Sequence, residues 1–302
     1  MGIWPIRQAV WPDERYFASA CLCRPGSLPG SRLLMVLTMA AMAAAATVEN
    51  AVGQGQLDRT AATRPDEIET DRDSFTFAPT TAGAQRTILE ASYSFIDNRL
   101  GPEAHSVPEL LVRRGLGDKV ELRLGFNYEA GGPGTVSGNE IGGEDVISEY
   151  ESRVLYGTKV ETSEQSGWIP QSALVVQGYT PTYGPTTQST LVAGEAFGWR
   201  FANGWEWNSA MRYGTGFVEE DAFNQWAPSS VLKIPVGERW SMHAEYFSIF
   251  SSGKELPLNI QYISFGGHVL VTKDFELGLR YGWGLNETTP NFFTNLGVGV
   301  RY

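Results

Sequence analysis

The sequence predicts an all-β protein: a single antiparallel, up-and-down transmembrane β-barrel of about twelve strands. Three observations support this class. Apolar and polar residues alternate with a period of two in many segments after residue 86, where helical periodicity is scarce. Short and long connections alternate between these segments, and aromatic residues lie at segment ends. Outer-membrane barrels combine such strands with short periplasmic turns, longer external loops and aromatic girdles.

Composition excludes several other classes. The chain has 302 residues, 42% hydrophobic and 19% charged, which is too apolar for a disordered protein. Its net charge of −11 argues against a nucleic-acid partner, which needs a basic face. Cys21 and Cys23 are the only cysteines, and the 3 histidines are scattered. We therefore expect neither a metal site nor a cofactor.

The N-terminal region reads as an export signal. An apolar run, Leu33 to Val48, follows Arg24 and Arg32 and contains a small-residue cleavage site at 44–46. A short buried helix is the alternative. We assign residues 1–46 to a signal peptide, with an N-terminal extension from an early start codon, and residues 87–302 to the barrel. Residues 47–86 form a polar periplasmic leader or a plug, of which the flexible leader is favoured.

Strands are placed by alternation and by turns. Residues 120–128 read VELRLGFNY and residues 275–283 read FELGLRYGW. In each stretch the first, third, fifth, seventh and ninth residues are apolar or aromatic. Asn203-Gly204 supplies the positive φ angles of a tight hairpin turn. The twelve predicted strands are 87–96, 109–115, 120–128, 150–160, 168–179, 189–201, 205–213, 225–236, 240–250, 259–271, 275–283 and 291–302.

Alternation alone does not distinguish a membrane barrel from a soluble, secreted β-sandwich. The aromatic strand ends and the charged second face favour the barrel, because a one-residue slip would turn an arginine toward lipid at about 2–4 kcal/mol near the midplane. The predicted interface aromatics are Tyr128, Trp205, Tyr213, Trp240, Phe275, Trp283 and Tyr302. The predicted lumen-lining residues are Glu121, Arg123, Asn127, Arg153, Lys159, Glu206, Arg212, His243, Glu245, Glu276, Arg280 and Arg301.

The end of the chain predicts closure and two partners. In hydrocarbon an unpaired strand edge costs several kcal/mol, so strand 87–96 should pair with strand 291–302. The last strand ends in an aromatic residue, Tyr302, which predicts recognition by the barrel-assembly machinery. The apolar face predicts contact with outer-membrane lipid, and the expected location is the outer membrane of a Gram-negative-type bacterium.

Three stretches resemble the family labelled "MetA-pathway of phenol degradation". Residues 70–76, TDRDSFT, resemble its T-D-R-P-D-F-T opening, although Asp73 and Ser74 replace Pro-Asp. Residues 85–93, QRTILEASY, are similar to its first strand. Residues 109–126, ELLVRRGLGDKVELRLGF, resemble its most specific hairpin, with Gly117 in place of a threonine. The likeness covers about residues 70–302 and implies a transporter-like outer-membrane barrel that passes small compounds, including aromatic or hydrophobic ones.

We therefore expect passage of a small-molecule solute through the lumen. A filled structural or adhesive barrel that acts through its external loops is the second hypothesis, and the soluble sandwich is the third. An enzyme is not expected: Ser241, His243 and Glu245 share one strand face, but no nucleophile motif accompanies them. The acidic, glycine-rich loop 129–149 could bind Ca²⁺, but its spacing matches no EF-hand, so we expect a solvated loop.

Overall fold

The computed structural model describes residues 67–99, 101–132, 150–185, 187–218, 221–253 and 257–302. The predicted signal peptide, residues 47–66 and most of the acidic loop lie outside these ranges. One sheet of twelve antiparallel strands closes on itself, so the prediction of a closed barrel is confirmed and the soluble sandwich is wrong. The strands are β1 (Thr87–Asp97), β2 (Ala104–Gly115), β3 (Val120–Gly131), β4 (Tyr150–Ser163), β5 (Gln171–Tyr183), β6 (Thr190–Arg200), β7 (Glu206–Val218), β8 (Asp221–Val236), β9 (Trp240–Ser252), β10 (Asn259–Thr272), β11 (Phe275–Gly284) and β12 (Phe292–Arg301).

Closure joins the first and last strands, as predicted. β1 pairs with β12 from Ile88 opposite Arg301 to Asp97 opposite Phe292. Every other strand pairs with its two neighbours in sequence. The backbone groups of the sheet thus have ladder partners around the whole circumference, as a sheet in hydrocarbon requires. Within the described ranges, no helix is both long enough and apolar enough to cross a bilayer.

Most predicted strand bounds are close to the observed ones, with two clear exceptions. β2 begins at Ala104 and not at residue 109. The predicted long connection after Tyr213 is wrong, because β7 continues to Val218 and β8 already begins at Asp221. The alternation of long and short connections is therefore less regular than expected. Pro228 consequently lies inside β8 and not near its start. It pairs with Met211 of β7, and the β8–β9 ladder is interrupted at this point.

The two ends of the barrel are distinct. The short-turn end carries the connections 116–119, 164–170, 201–205, 237–239 and 273–274. The long-loop end carries the connections 98–103, 132–149, 184–189, 219–220, 253–258 and 285–291.

The barrel has apolar residues outside and charged residues inside, the reverse of a soluble protein. On β3, Leu122 and Leu124 are 49% and 57% exposed, whereas the neighbouring Glu121 and Arg123 are buried. The same phase recurs on β9, where Met242 and Tyr246 are exposed and His243 and Glu245 are buried. A continuous apolar outer face of this kind suits a lipid environment.

The predicted interface aromatics lie on the outer face or at its edge. Trp205, Tyr213, Trp283 and Tyr302 are exposed, and the remaining three are half-buried. Trp205 and Tyr302 lie at the short-turn end, and Trp283 lies near the long-loop end. Membrane contact by these residues remains a prediction.

Most of residues 67–86, called the inner segment here, lie inside the barrel, whereas Ala84 and Gln85 near its end are exposed. The segment enters at the short-turn end, where the Ile68 N–H donates to the carbonyl of Lys273 (2.8 Å). It returns to the same end, where Gln85 bonds to Gly115 just before β1 begins. Asp71, Ser74 and Phe75 are fully buried between these two points. The described part of the leader thus re-enters the barrel interior and returns to the same end. The choice between a plug and a flexible periplasmic leader stays a prediction.

Candidate functional site: the lumen and its inner segment

The Asp71 carboxylate is the main attachment point of the inner segment. Its Oδ2 lies 2.5 Å from an Arg123 guanidinium nitrogen, 2.6 Å from Lys159 Nζ and 3.7 Å from Arg113 Nε. These cations come from β3, β4 and β2, and Arg113 and Arg123 are direct partners across the ladder. Glu121 completes the group, 3.0 Å from Arg113. Adjacent strands thus bring three cations to one carboxylate of the segment.

Asp71 also shapes the segment itself. Its Oδ1 accepts the backbone N–H of Ala78 (3.0 Å), which closes a loop over residues 71–78. The backbone N–H groups of Asp71 and Arg72 both donate to Glu90 Oε2, at 2.9 and 3.0 Å. Buried backbone groups that no sheet satisfies are thereby paired with the barrel wall. Asp71 therefore contributes both to the conformation of the inner segment and to its attachment to the barrel wall.

Arg72 and Asp73 extend the attachment to other strands. The Arg72 guanidinium donates to Glu109 Oε2 (3.2 Å) and to the Leu110 carbonyl (3.0 Å) on β2. The Asp73 carboxylate accepts from Lys233 Nζ of β8 at 2.6 Å. Consecutive segment residues of opposite charge therefore bind well-separated parts of the wall.

Glu245 of β9 binds the tip of the segment. Its two oxygens accept the backbone N–H groups of Phe75 (3.1 Å) and Thr76 (2.7 Å), and the Thr76 hydroxyl at 2.8 Å. Arg280 pairs with the same carboxylate at 3.2 Å. The carboxylate is acceptor-only when ionised, so it suits a turn of chain with unpaired N–H groups.

Phe75 forms the apolar tip of the segment. Its ring stacks on Phe247, with centroids 4.3 Å apart, inside a buried cluster that includes Tyr262 and Phe293. The Arg212 guanidinium lies 4.3 Å from the same ring centroid and donates to the Phe75 carbonyl. Cation–π contacts of a desolvated arginine contribute about 2 kcal/mol. The tip is therefore held by both apolar and polar contacts.

The surrounding cations decide the charge state of the two segment aspartates. Burial alone would raise the pKa of Asp71, but Arg113, Lys159 and Arg123 lower that pKa well below its usual value. Burial alone would also raise the pKa of Asp73. Lys233 lowers this pKa, and His268 and His243 contribute less in the same direction. Both carboxylates are thus held in the ionised form that binds the wall.

The predicted lumen residues form several groups and not one constriction. Glu121, Arg123 and Lys159 surround Asp71, and Glu245 and Arg280 bind each other. Others pair separately: Arg153 with Glu151, Arg200 with Glu206, and Arg301 with Asp274. Asn127 accepts from Ser106, Glu276 accepts from Thr70, and Arg212 contacts Phe75. All twelve predicted residues are buried or half-buried.

Sequence reasoning missed several wall residues that bind the segment. Glu90, Glu109 and Arg113 lie on β1 and β2, and Lys233 lies on β8. Glu90, Glu109 and Lys233 share their inward faces with the apolar residues Ile88, Leu111 and Val231, so apolar–polar alternation did not mark these faces. On β2, adjacent Arg113 and Arg114 also made the phase ambiguous. The binding of Asp71 and Asp73 to wall cations could not be predicted from strand periodicity, because these residues belong to no strand.

His243 and Glu245 share the inward face of β9, as expected. The His243 ring nitrogens have no hydrogen-bond partner in the part of the chain that the structure describes. Its ring packs over Gly266, where a Cβ would come within 2.6 Å. Among the described residues, no group of three or more His, Cys, Asp or Glu side chains is arranged to hold a metal ion.

A small polar cavity lies beside the segment at the short-turn end. Its volume is about 60 Å³, and its lining includes Asp73, Lys233, His268 and Glu276. A space of this size accepts a few water molecules.

A closed antiparallel barrel with an apolar outer face and a charged interior defines an outer-membrane β-barrel of the porin- or transporter-like type. Within this class the sequence is specific. The chain belongs to the family described as "Putative MetA-pathway of phenol degradation", whose profile matches residues 70–302. The match begins at Thr70, so it includes most of the inner segment as well as all twelve strands.

Solved structures with a similar fold share little sequence with this chain. The NanC porin is 10% identical, with a TM-score of 0.44, over 71% of this chain and 98% of the porin. The translocator domain of the autotransporter NalP from Neisseria meningitidis is 12% identical, with a TM-score of 0.44, over 72% of this chain and 88% of that domain. The β domain of the Bordetella autotransporter BrkA is 11% identical, with a TM-score of 0.43, over 72% of this chain and 98% of that domain. No curated protein matches the sequence.

Proposed function

We propose that this chain is an outer-membrane barrel that lets a small solute cross, and that the inner segment closes the lumen until it is displaced. The carrying observation is that a separate stretch of chain occupies the interior beside a charged wall. Eight-stranded barrels are filled by their own side chains, whereas twelve strands enclose a wider space. Here that space holds a segment with both ends at the short-turn end, so displacement would leave a lumen lined by the wall charges. The family description supports small aromatic or hydrophobic solutes as the first to test.

The proposed location is the outer membrane. The exposed apolar band supports contact with lipid. Strand β12, followed directly by the aromatic Tyr302, supports recognition by the barrel-assembly machinery. Recovery in the outer-membrane fraction, together with faster gel migration of unheated than of boiled protein, would test location and closure. Recovery as a monodisperse protein without detergent would contradict the proposal.

Passage is tested by conductance in planar bilayers. We expect low conductance from the full chain and higher conductance from a variant that lacks residues 67–80. Asp71→Asn combined with Asp73→Asn should increase the frequency of open events, because it weakens attachment without shortening the chain. Asp118→Asn, in an exposed turn, is the matched control and should behave as the full chain. Silence of both lumen variants after proven insertion would contradict passage.

A structural or adhesive barrel remains the second candidate, because the described wall charges are buried against the segment or against each other. Permanent blockage in every lumen variant would favour it. We propose binding and passage rather than catalysis, since the Glu245 carboxylate beside His243 already binds the backbone of Phe75 and Thr76.

A further inference from the structure

We infer that Arg113, Arg123 and Lys159, called the cation cluster here, form a binding site for the carboxylate of a small aromatic carboxylate solute, and that Asp71 occupies this site while the lumen is closed. The inference rests on the proposed function and names its substrate class. It also supplies a reason for the segment to leave, since the solute competes for the same site.

Charge balance in the cluster depends on the segment. The wall supplies Glu121, 3.0 Å from Arg113, and Glu90, 3.2 Å from Arg113, as two carboxylates for three cations. Asp71 supplies the third negative charge. Without it the three cations and two carboxylates leave a surplus positive charge that faces the emptied lumen. Another anion is therefore attracted to the position that Asp71 leaves.

Lys159 shows this dependence most directly. Its ammonium donates to Asp71 Oδ2 at 2.6 Å and to the carbonyls of Ala78 and Thr80 at 3.0 and 3.1 Å, and all three acceptors belong to the inner segment. Among the described wall residues, the ion-pair partner of Lys159 is Glu121, whose carboxylate lies 3.9 Å away. Departure of the segment thus leaves three donors of Lys159 to be satisfied by water or by a ligand carboxylate.

The same segment specifies an aromatic body next to the carboxylate. The Lys159 ammonium lies 5.4 Å from the centroid of the Phe77 ring. The Phe75 ring lies between Arg212 and Phe247, each 4.3 Å from its centroid. The wall thus accepts the Asp71 carboxylate at the cation cluster and phenyl rings from the same segment. An aromatic carboxylate carries both kinds of group in one small molecule. The inner segment and the solute cannot bind the wall at the same time. A solute that binds the open state therefore shifts the population toward the open state.

The test uses a thiol reporter in the full chain. In a Cys21→Ser/Cys23→Ser background, Ser74→Cys places a small thiol at a fully buried segment position. The rate of labelling by a charged maleimide then reports segment release. We expect benzoate to increase this rate roughly tenfold, a usual coupling between competing states, and benzyl alcohol at the same concentration to leave it unchanged. Lys159→Met should label faster without ligand and respond less to benzoate, whereas Lys119→Met, in an exposed turn, should respond as the parent does.

Two results would overturn the inference. The first is equal acceleration by benzoate and benzyl alcohol, which would show that the carboxylate is not recognised. The second is a labelling rate that benzoate does not increase. This result overturns the inference both when Asp71→Asn increases the rate and when it does not. Conductance of the variant lacking residues 67–80 is measured separately. If this variant conducts but does not respond to benzoate, the inference alone is rejected. If this variant does not conduct, the proposed function is rejected.

Discussion

The Lys159 ammonium and the Asp71 carboxylate lie 2.6 Å apart inside the barrel, although 88 positions separate them in the sequence. Lys159 belongs to a wall strand and Asp71 to the inner segment, and both side chains are fully buried. This pair links the part of the chain that forms the barrel to the part that fills it. It is one of several contacts that hold the segment in the interior, together with those of Asp73 and Phe75.

Asp71→Asn should loosen the inner segment while leaving the barrel closed. The amide still accepts the Ala78 N–H, but it leaves the cation cluster without its third negative charge. Removal of one partner of a buried ion pair costs about 3–5 kcal/mol. Hydrogen exchange at the amides of Thr76 and Ala78 should accelerate strongly. Asp118→Asn should leave both amides protected, and unchanged exchange in Asp71→Asn would show that the pair does not hold the segment.

The contribution of Asp71 to stability should vanish only in acid. The neighbouring cations lower its folded-state pKa below the usual 3.8, so the stabilisation is complete above that value and is lost as the pH falls through the folded pKa. The difference in free energy of unfolding between the parent and Asp71→Asn should not fall between neutral pH and about pH 5. It should shrink below about pH 4. A difference that already shrinks near neutral pH would contradict this assignment.

Gly115→Ala should displace the segment by steric contact. A Cβ at Gly115 would lie 1.7 Å from the carbonyl oxygen of Gly83, so one backbone must move. Overpacking of this kind costs about 1–3 kcal/mol. Gly117→Ala is the matched control, since nothing lies within 4 Å of its Cβ position. Conductance and thiol labelling should both rise for Gly115→Ala only. Equal behaviour of the two variants would contradict the described path of residues 83–86.

Leu124→Arg should impair membrane insertion. Leu124 is an exposed residue in the middle of β3, where an arginine facing lipid costs about 2–4 kcal/mol. Leu116→Arg, in the turn at the short-turn end, should cost about 1 kcal/mol or less because that depth is near water. The folded fraction in vesicles, measured by gel mobility without heating, should fall for Leu124→Arg. Equal yields would argue that this face does not meet lipid.

Strand periodicity predicted most of the wall. The alternation in β3 and β11 predicted strands that begin at Val120 and Phe275, and the structure begins them there. The same alternation assigned Arg123 and Arg280 to the buried face. It failed where the pattern weakens, as between Tyr213 and Asn224, because glycine, threonine and phenylalanine there carry no clear inside or outside preference. Strand extension in that region was decided by pairing with the neighbouring strands.

The site was predictable only in part, for a different reason. Glu121, Arg123 and Lys159 were expected to face the lumen, but the sequence left open whether they line a pore or bind a plug. That choice depends on contacts between residues 70–82 and strands far away in the chain, such as Thr76 with Glu245. No local pattern encodes such contacts.

The sequence by itself determined that this chain forms strands with one apolar and one charged face, and hence that it closes into a barrel. Side-chain alternation is a local property of an extended backbone, so it can be read residue by residue. Only the tertiary structure decided that Asp71 binds among three cations and that Phe75 reaches Phe247. Those contacts exist because closure of the sheet brings distant strands around a common interior, where buried charges and backbone N–H groups must find partners within the chain.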